Sequence, residues 1–252
     1  IFPLKFITMN IVLIVGSAPD AVRINSLDLS LFSSSVAINN AWKLRQDLDY
    51  AIYPEDFPTQ RQPKNFHVKK KIITAKDYVP IQNKFGGFVY AGGTMAFTAG
   101  YWALGILKPD VIAYLGCDMI YSENQSHFYG NGKADPLRED ITLQSLEAKS
   151  ARLLAVAKLN HCTIVNLSKQ NQSRLLFPKL AIEKFNKKQN ILNFVKKSKF
   201  QLDLQVVKKV LRIEKKLAYM VPSGKYWKVI KKFDPLKLNE IDNYWLKTPL
   251  NV

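Results

Sequence analysis

Cysteine, histidine and acidic side chains are all scarce in this chain. Its 252 residues include 2 cysteines and 3 histidines, and 20 Asp or Glu are set against 37 Lys or Arg. No Cys or His spacing typical of a zinc site occurs, and no apolar run reaches the roughly 18 residues that span a bilayer. Cys117 and Cys162 lie in or beside apolar segments, so we expect buried free thiols, which suit a reducing compartment.

Several catalytic signatures are missing as well. The sequence has no G-x-G-x-x-G fingerprint, no Gly-Lys-Ser/Thr phosphate loop and no Gly-x-Ser-x-Gly elbow, which are the usual signs of dinucleotide, P-loop and acyl-hydrolase enzymes. Asp47 and Asp49 have the D-x-D spacing by which many sugar-nucleotide enzymes hold a metal, but they precede a strand instead of following one. We therefore expect these two aspartates to be structural.

The excess of positive charge lies mainly near the end of the chain. The net charge is +17, and residues 182–252 hold 17 Lys or Arg and 6 Asp or Glu, a balance of +11. Such a segment is attracted to an anionic membrane, polysaccharide or nucleic acid. A solvated, lysine-rich helical face would give the same pattern.

Short apolar runs alternate with helical patterns, which predicts an α/β fold. We expect a Rossmann-like, doubly wound and mostly parallel sheet in a domain covering residues 9–180, followed by a basic, mainly helical region over residues 181–252. The pattern predicts helices over residues 141–159 and 203–217 and an irregular segment beyond residue 219. Strands are predicted over residues 10–15, 33–38, 49–53, 111–115 and 162–167, with a peripheral strand over 68–74.

The pattern over residues 87–121 predicts the central βαβ unit. A strand is predicted over residues 88–90, and the turn Gly92-Gly93-Thr94 can bend tightly and cap the next helix. The apolar helix over residues 95–104 is expected to end at Gly105, with Pro109 preventing its continuation. The unit places this turn and the end of the strand over residues 111–115 at one edge of the sheet, where open α/β sheets bind ligands.

Polar residues follow the first two strands directly. Gly16, Ser17 and Pro19 form a turn after the first strand, and a glycine turn at this position can present backbone N–H groups to a phosphate. Asn39 and Asn40 follow the second strand. The coincidence of such residues at neighbouring strand ends predicts a nucleotide cleft.

The candidate catalytic groups surround a long loop over residues 122–139. Within it, His127 has an imidazole that can accept a hydroxyl proton at neutral pH, whereas His161, at a helix end, is expected to be structural. Tyr121 and Tyr129 could donate hydrogen bonds to a leaving phosphate, and Asp118 lies at the end of the preceding strand.

Four of these features occur together in an order that resembles one known family. They are the Gly16-Ser17-Ala18-Pro19 turn, the strand that ends at Asn39, the small-residue turn before an apolar helix ending Ala103-Leu104-Gly105, and Gly116-x-Asp118 followed by Tyr121. Over roughly residues 10–173, the chain resembles the bacterial lipooligosaccharide sialyltransferases, glycosyltransferase family 42. Motility accessory factors and 6-hydroxymethylpterin pyrophosphokinase-like domains share part of the pattern.

The resemblance implies a Rossmann-like domain that binds CMP-sialic acid, needs no metal or other cofactor and inverts the anomeric centre by direct displacement. In that family a histidine is the general base and tyrosines hold the departing phosphate. The family histidine lies shortly before the next helix, where residues 137–143 of this chain have none, and His127 is our substitute. The motif Asp118-Met119-Ile120-Tyr121 is one residue longer than the family's. The resemblance assigns nucleotide binding to Gly16, Ser17, Pro19, Asn39, Gly92, Gly93 and Thr94.

The sequence therefore favours a metal-independent, inverting glycosyltransferase with a CMP-linked acidic sugar as donor and a glycan as acceptor. We expect a cytoplasmic protein that contacts the inner membrane through its basic C-terminal region and forms a homo-oligomer to cover the apolar face of a helix there. One alternative is a Mg²⁺-dependent pyrophosphokinase that uses Glu55, Asp56 and Asp118. Another is a non-catalytic protein whose basic region binds nucleic acid.

Overall fold

One parallel sheet organises the molecule. The computed structural model describes residues 9–63, 71–121, 126–130, 139–183, 190–191, 193–194 and 201–250. Within these ranges, six strands pair in the order β4-β3-β2-β1-β5-β6, all parallel to their neighbours. The strands are β1 Ile11–Val15, β2 Ser34–Ile38, β3 Tyr50–Ile52, β4 Lys71–Ile73, β5 Val111–Leu115 and β6 Thr163–Asn166. The predicted α/β, Rossmann-like class is confirmed.

Strand β1 is apolar throughout, as expected of a strand with helical layers on both faces of the sheet. In β1, Val12 and Ile14 point into one hydrophobic cluster, whereas Ile11, Leu13 and Val15 point into the other, as the two-residue period of a strand requires. All five side chains are fully buried. The chain adds β2, β3 and β4 on one side of β1 and then β5 and β6 on the other, so the strand order reverses between β1 and β5.

Six α-helices with both ends in the described ranges accompany the sheet. Local caps fix several of their starts: the hydroxyls of Thr94 and Ser145 accept from backbone amides in the first turns of α3 and α4, and Asp203 and Asp234 do the same for α5 and α6. The segments are α1 Ala75–Lys84, α2 Phe88–Ala91, α3 Met95–Trp102, α4 Leu146–Leu159, α5 Leu204–Leu217 and α6 Pro235–Leu246.

Two details of the predicted βαβ unit are wrong. Residues 88–91 form helix α2 instead of a strand, because Gly87, at φ 80°, redirects the chain and Val89 and Tyr90 are then buried against α4 and the C-terminal region. Gly105 does not follow the helix end. It lies inside the π-helical turn Ala103–Leu107 that extends α3, where a Cβ atom would meet Ile81 Cγ2 at 2.5 Å.

Other predicted boundaries hold to different degrees. The helix expected over residues 141–159 begins only at Leu146, since Ser145 caps it, and the expected peripheral strand is confirmed only as Lys71–Ile73, with residues 68–70 outside the described ranges.

Cys117 and Cys162 are buried free thiols, as expected. Asp47 pairs with Arg45, and a carboxylate oxygen of Asp49 accepts from the backbone and side chain of Ser35, as expected of structural residues.

The C-terminal region packs on the sheet domain. The expected basic helix is confirmed as α5, but α6 replaces part of the segment expected to be irregular. Val207, Val210 and Trp245 are fully buried in one cluster with Ala148 and Ala151 of α4. The part of the apolar face of α5 that includes Val207 and Val210 is therefore covered within the chain, whereas Leu204 is 50% exposed, and the expected homo-oligomer stays a prediction.

Two buried ion pairs reinforce this packing. Lys149 Nζ lies 2.6 Å from a carboxylate oxygen of Asp242, and Arg152 donates two hydrogen bonds to the carboxylate of Glu214, at 2.9 and 2.7 Å. Burial raises the pKa of Asp242, and the neighbouring Lys149 opposes that rise. These pairs join α4 to α5 and α6 of the C-terminal region. No described helix has the length and apolar character needed to cross a membrane.

Candidate active site

An open cleft of about 210 Å³ lies at the carboxyl ends of β1, β2 and β5. This is the point at which the strand order reverses, which is where ligands bind in doubly wound sheets. The structure brings together in this cleft eight residues predicted from the sequence: Gly16, Ser17, Asn39, Asn40, Thr94, Tyr121, His127 and Tyr129.

The other predicted residues lie outside the lining of the cleft. Pro19 is the first residue of the 3-10 helix Pro19–Ser26, and Gly92 is packed against Lys149. Gly93 lines a neighbouring cavity. Asp118 is 1% exposed, and one of its carboxylate oxygens accepts from Asn166 Nδ2 at 2.9 Å. Asp118 therefore anchors the turn after β5 to β6.

The turn after β1 is held against β5. The amide of Gly16 donates to Leu115 O at 2.8 Å, and the amide of Ala18 donates to Gly116 O at 3.0 Å, so neither N–H is available to a phosphate. A Cβ atom on Gly16 would come within 2.2 Å of Gly116 O and 2.6 Å of Cys117 Sγ. Glycine is required here for the close approach of two backbone segments, and Ser17 offers a polar side chain to the cleft.

The two asparagines after β2 combine backbone strain with unsatisfied polar atoms. Asn39 has φ 51°, in the left-handed region, where non-glycine residues are uncommon. The Oδ1 atoms of Asn39 and Asn40 are both buried and have no hydrogen-bond partner among the described residues. Strained backbone and orphaned polar groups persist at functional sites, where a ligand can supply the missing donor.

His127 is fixed between the first turn and two tyrosines. Its Nδ1 lies 3.1 Å from Ser17 Oγ, and the amide of Phe128 donates to Ser17 O at 2.9 Å. The imidazole stacks on Tyr129, with ring centroids 4.9 Å apart and an interplanar angle of 6°. The ring of Tyr121 lies on another side, at 5.8 Å. The predicted histidine and both predicted tyrosines thus form one cluster.

The environment of His127 keeps its imidazole neutral. Burial lowers the pKa of His127 below its usual 6.5, a contact with Ser17 opposes this, and the positive charge of Arg61 lowers the pKa further. The Nε2 atom has no hydrogen-bond partner in the described part of the chain. In the tautomer in which Nδ1 donates to Ser17, Nε2 carries a lone pair that can accept a proton.

Arg61 is the main cleft residue that sequence reasoning missed. It is the single Lys or Arg among the described residues that line the cleft, and it belongs to the short 3-10 helix Thr59–Arg61 after β3. Its carbonyl accepts from Trp42 Nε1 at 2.9 Å, which fixes the turn. Nothing in the polar, proline-punctuated sequence after β3 distinguishes this arginine from an ordinary surface residue.

The carboxylates suggested for a magnesium site have different environments. Glu55 and Asp56 are exposed in the turn after β3, and Glu55 pairs with Lys225 at 3.4 Å, whereas Asp118 is buried against Asn166. Over the residues that the structure describes, no group of three or more His, Cys, Asp or Glu side chains could hold a metal ion.

Comparison with known proteins gives no relative. No protein-family model matches the chain, and no match was found among the curated proteins or the solved structures. Function is therefore inferred from the chemistry of the cleft.

Proposed function

We propose that this protein is a metal-independent, inverting glycosyltransferase that uses a nucleotide-activated sugar, with a CMP-linked acidic sugar as donor. The observation that carries the proposal is the set of three buried polar atoms, Asn39 Oδ1, Asn40 Oδ1 and His127 Nε2, which have no partner among the described residues and belong to side chains lining one cleft. Buried polar groups left unpaired cost about 1–3 kcal/mol each, so a polar ligand that pairs with them gains affinity.

The chemistry of the lining supports a pyrimidine nucleotide monophosphate. Amide oxygens such as those of Asn39 and Asn40 accept hydrogen bonds, and the exocyclic amine of cytosine and the hydroxyls of ribose both donate them. Arg61 supplies a positive charge for the phosphate, for which a guanidinium is well suited because it donates in a planar fork.

The proposed reaction is a direct displacement. His127 Nε2 takes the proton of an acceptor hydroxyl, whose oxygen then forms a bond to the anomeric carbon of the donor sugar. The bond from that carbon to the phosphate oxygen breaks, and its electron pair leaves with CMP. Tyr121 and Tyr129 donate hydrogen bonds to the departing phosphate, and Arg61 balances its charge.

The test is the release of CMP from CMP-sialic acid in the presence of EDTA. We expect the wild-type protein to turn the donor over and His127→Asn to reduce the rate about 10²–10⁴-fold while CMP still binds, because only the proton acceptor is lost. The matched control is His161→Asn, since His161 is exposed at the end of α4 in a left-handed conformation that asparagine tolerates. Equal rates for His127→Asn and the wild type, or turnover that needs added Mg²⁺, would contradict the proposal.

A further inference from the structure

A second cavity, of about 520 Å³, adjoins the cleft. Pro54, Asp56 and Met95 line both spaces, so the two adjoin at these residues. The sheet domain forms one side of the second cavity, and residues 223–227 of the C-terminal region form the other. Nothing in the proposed donor chemistry requires this second space.

The C-terminal wall of the cavity is held in a defined position. Asn83 Nδ2 donates to Pro222 O at 2.7 Å, and Gly224, at φ 74°, brings the turn against Val79 of α1. Tyr226 Oη donates to a carboxylate oxygen of Asp140 at 2.6 Å.

A hydrogen-bonded chain continues from this wall to the turn before α3. The other carboxylate oxygen of Asp140 accepts from Thr142, and Thr142 Oγ1 accepts from the amide of Gly93 at 2.9 Å. A Cβ atom on Gly93 would lie 2.5 Å from Tyr226 Oη, so this glycine lets the C-terminal wall approach the sheet domain. Gly93 therefore helps to build the second cavity and does not line the nucleotide cleft.

The lining combines aromatic surface with scattered polar groups. Trp227 is 56% exposed, an unusual exposure for a large aromatic side chain, and Phe88 and Tyr78 line the same space. Burial, with Glu55 and Asp56 nearby, raises the pKa of Tyr78 to about 12, so its hydroxyl stays protonated. Aromatic faces that pack on C–H groups, together with separate hydroxyl and carboxylate partners, suit a ligand with an apolar ring face and a polar edge.

The charge of the lining selects against anions. Among the described residues that line the cavity, Glu55, Asp56 and Asp140 bring three carboxyl groups, against the single ammonium of Lys225. A carboxylate or phosphate ligand would meet repulsion here, whereas uncharged hydroxyls can donate to the same carboxylates. The ion pair between Glu55 and Lys225 is exposed, and exposed pairs contribute little to stability, so a ligand can displace it at little cost.

We propose that this second cavity, between α1–α3 and residues 223–227, is the acceptor subsite and binds a neutral saccharide whose apolar face stacks on Trp227. The inference rests on the proposed glycosyltransferase function, because it places the acceptor hydroxyl beside the junction with the donor cleft. It also gives the C-terminal region a role in substrate recognition that its charge alone does not predict.

The test uses saturation-transfer NMR on the full chain with saturating CMP. The probes are the methyl glycosides of galactose, glucose, mannose and N-acetylglucosamine, with glucuronic acid as the anionic comparison. We expect at least one neutral glycoside to receive saturation from the wild-type protein and to lose at least three quarters of it in Trp227→Ala, and no transfer to glucuronic acid. The matched control is Ile230→Ala, since Ile230 is an exposed hydrophobic residue of the same 3-10 segment that is outside the cavity lining.

The outcomes separate the two proposals. Absence of transfer to every neutral glycoside, equal loss in both variants, or stronger transfer to glucuronic acid would overturn the acceptor subsite while leaving nucleotide binding intact. Binding of a glycoside by a protein that shows no thermal shift with CMP would overturn the proposed donor chemistry instead. Circular dichroism of Trp227→Ala shows whether the variant is folded; if it is not, Trp227→Phe, which keeps an aromatic face, must retain transfer.

Discussion

At the scale of single residues, the cleft holds groups in states that an unliganded protein does not favour. Asn39 adopts a left-handed backbone conformation, and its buried amide oxygen has no partner among the described residues. The imidazole of His127 is 6% exposed, with an unpaired Nε2 in the same part of the chain. Each of these features costs free energy in the free protein and is offset when a ligand provides donors and charge.

The buried imidazole makes a prediction about pH. Because burial lowers the folded-state pKa of His127 below 6.5, the unfolded chain binds this proton more tightly than the folded chain does. The contribution of His127 to the free energy of unfolding is therefore complete above pH 6.5, the pKa of the unfolded chain, and is lost as the pH drops from there toward the folded-state pKa. For turnover, we expect kcat/KM to be constant near neutral pH and to fall on the acid side with an apparent pKa below 6.5.

The measurement is kcat/KM for CMP release across about pH 5 to 8. Denaturant unfolding of the wild type and of His127→Asn over the same range gives the stability difference. As the pH falls below neutral, the free energy of unfolding of the wild type should fall relative to that of His127→Asn. An acid limb with an apparent pKa above 6.5, or a stability difference independent of pH, would show that His127 is not the titrating group.

The sequence was informative about those site residues that follow strands directly. Ser17 and Asn39 could be placed because an apolar run locates the strand end, and parallel strand ends meet at one edge. Arg61 was not predicted, and Gly93 was assigned to nucleotide binding, whereas it lines the neighbouring cavity. Arg61 lines the cleft from a turn that carries no periodic signal, and the role of Gly93 depends on Tyr226, a residue 133 positions later in the chain.

At the scale of elements, propensity located the strands, but it misassigned α2 and did not predict α1 or α6. Residues 88–91 include aromatic and β-branched side chains, which favour a strand locally. They do not pair with the sheet, and their burial against α4 favours a helix. Helix α6 was missed although Asp234 and Pro235 form a start signal, because the surrounding segment lacks a regular apolar period. Tertiary packing overrode the local pattern in both cases.

Helix α4 depends on the ion pair that its Arg152 makes with Glu214 of α5. The guanidinium also donates to Tyr101 Oη at 2.7 Å, and Trp245 Nε1 donates to the Glu214 carboxylate at 2.8 Å. We expect Arg152→Met to lower the free energy of unfolding by about 3–5 kcal/mol, because it leaves a buried, unpaired carboxylate. Denaturant titration measures the loss.

The matched control for that loss is Arg174→Met. Arg174 pairs with Glu147 of α4 at 2.6 Å, but both side chains are substantially exposed, so its loss should cost only about 0–1 kcal/mol. The double variant Arg152→Met/Glu214→Leu should recover part of the stability that Arg152→Met loses, since neither charge of this pair remains buried without its partner. Equal costs for the two single variants would contradict a decisive role for burial.

At the scale of the whole molecule, the basic C-terminal region presents a charged surface on α5. Lys208, Lys209, Arg212 and Lys216 line one shallow groove on its exposed side. We propose that this face contacts anionic lipid, where each such residue contributes about 1 kcal/mol near the surface. The protein should sediment with vesicles that contain phosphatidylglycerol, and less so as salt is raised.

A charge-reversed helix face tests this surface without touching the cleft. Lys208→Glu/Lys209→Glu should weaken vesicle sedimentation strongly while CMP binding is unchanged. Sedimentation with uncharged phosphatidylcholine vesicles to the same extent would contradict an electrostatic contact. Tighter, salt-sensitive binding to nucleic acid than to vesicles would instead favour nucleic acid as the anionic partner.

The most direct test of the central claim is a thermal-shift panel of CMP, CDP, UDP, GDP and ATP, each with Mg²⁺ and with EDTA, on the wild type and on Arg61→Gln. A ligand that binds only the folded state stabilises it by about 2.7 kcal/mol at 100 times its dissociation constant. The cleft described here predicts the largest shift with CMP, an equal shift in EDTA, and a smaller one in Arg61→Gln, whereas cytidine should shift both proteins alike. A shift with ATP that requires Mg²⁺, or no shift with any nucleotide, would contradict the account.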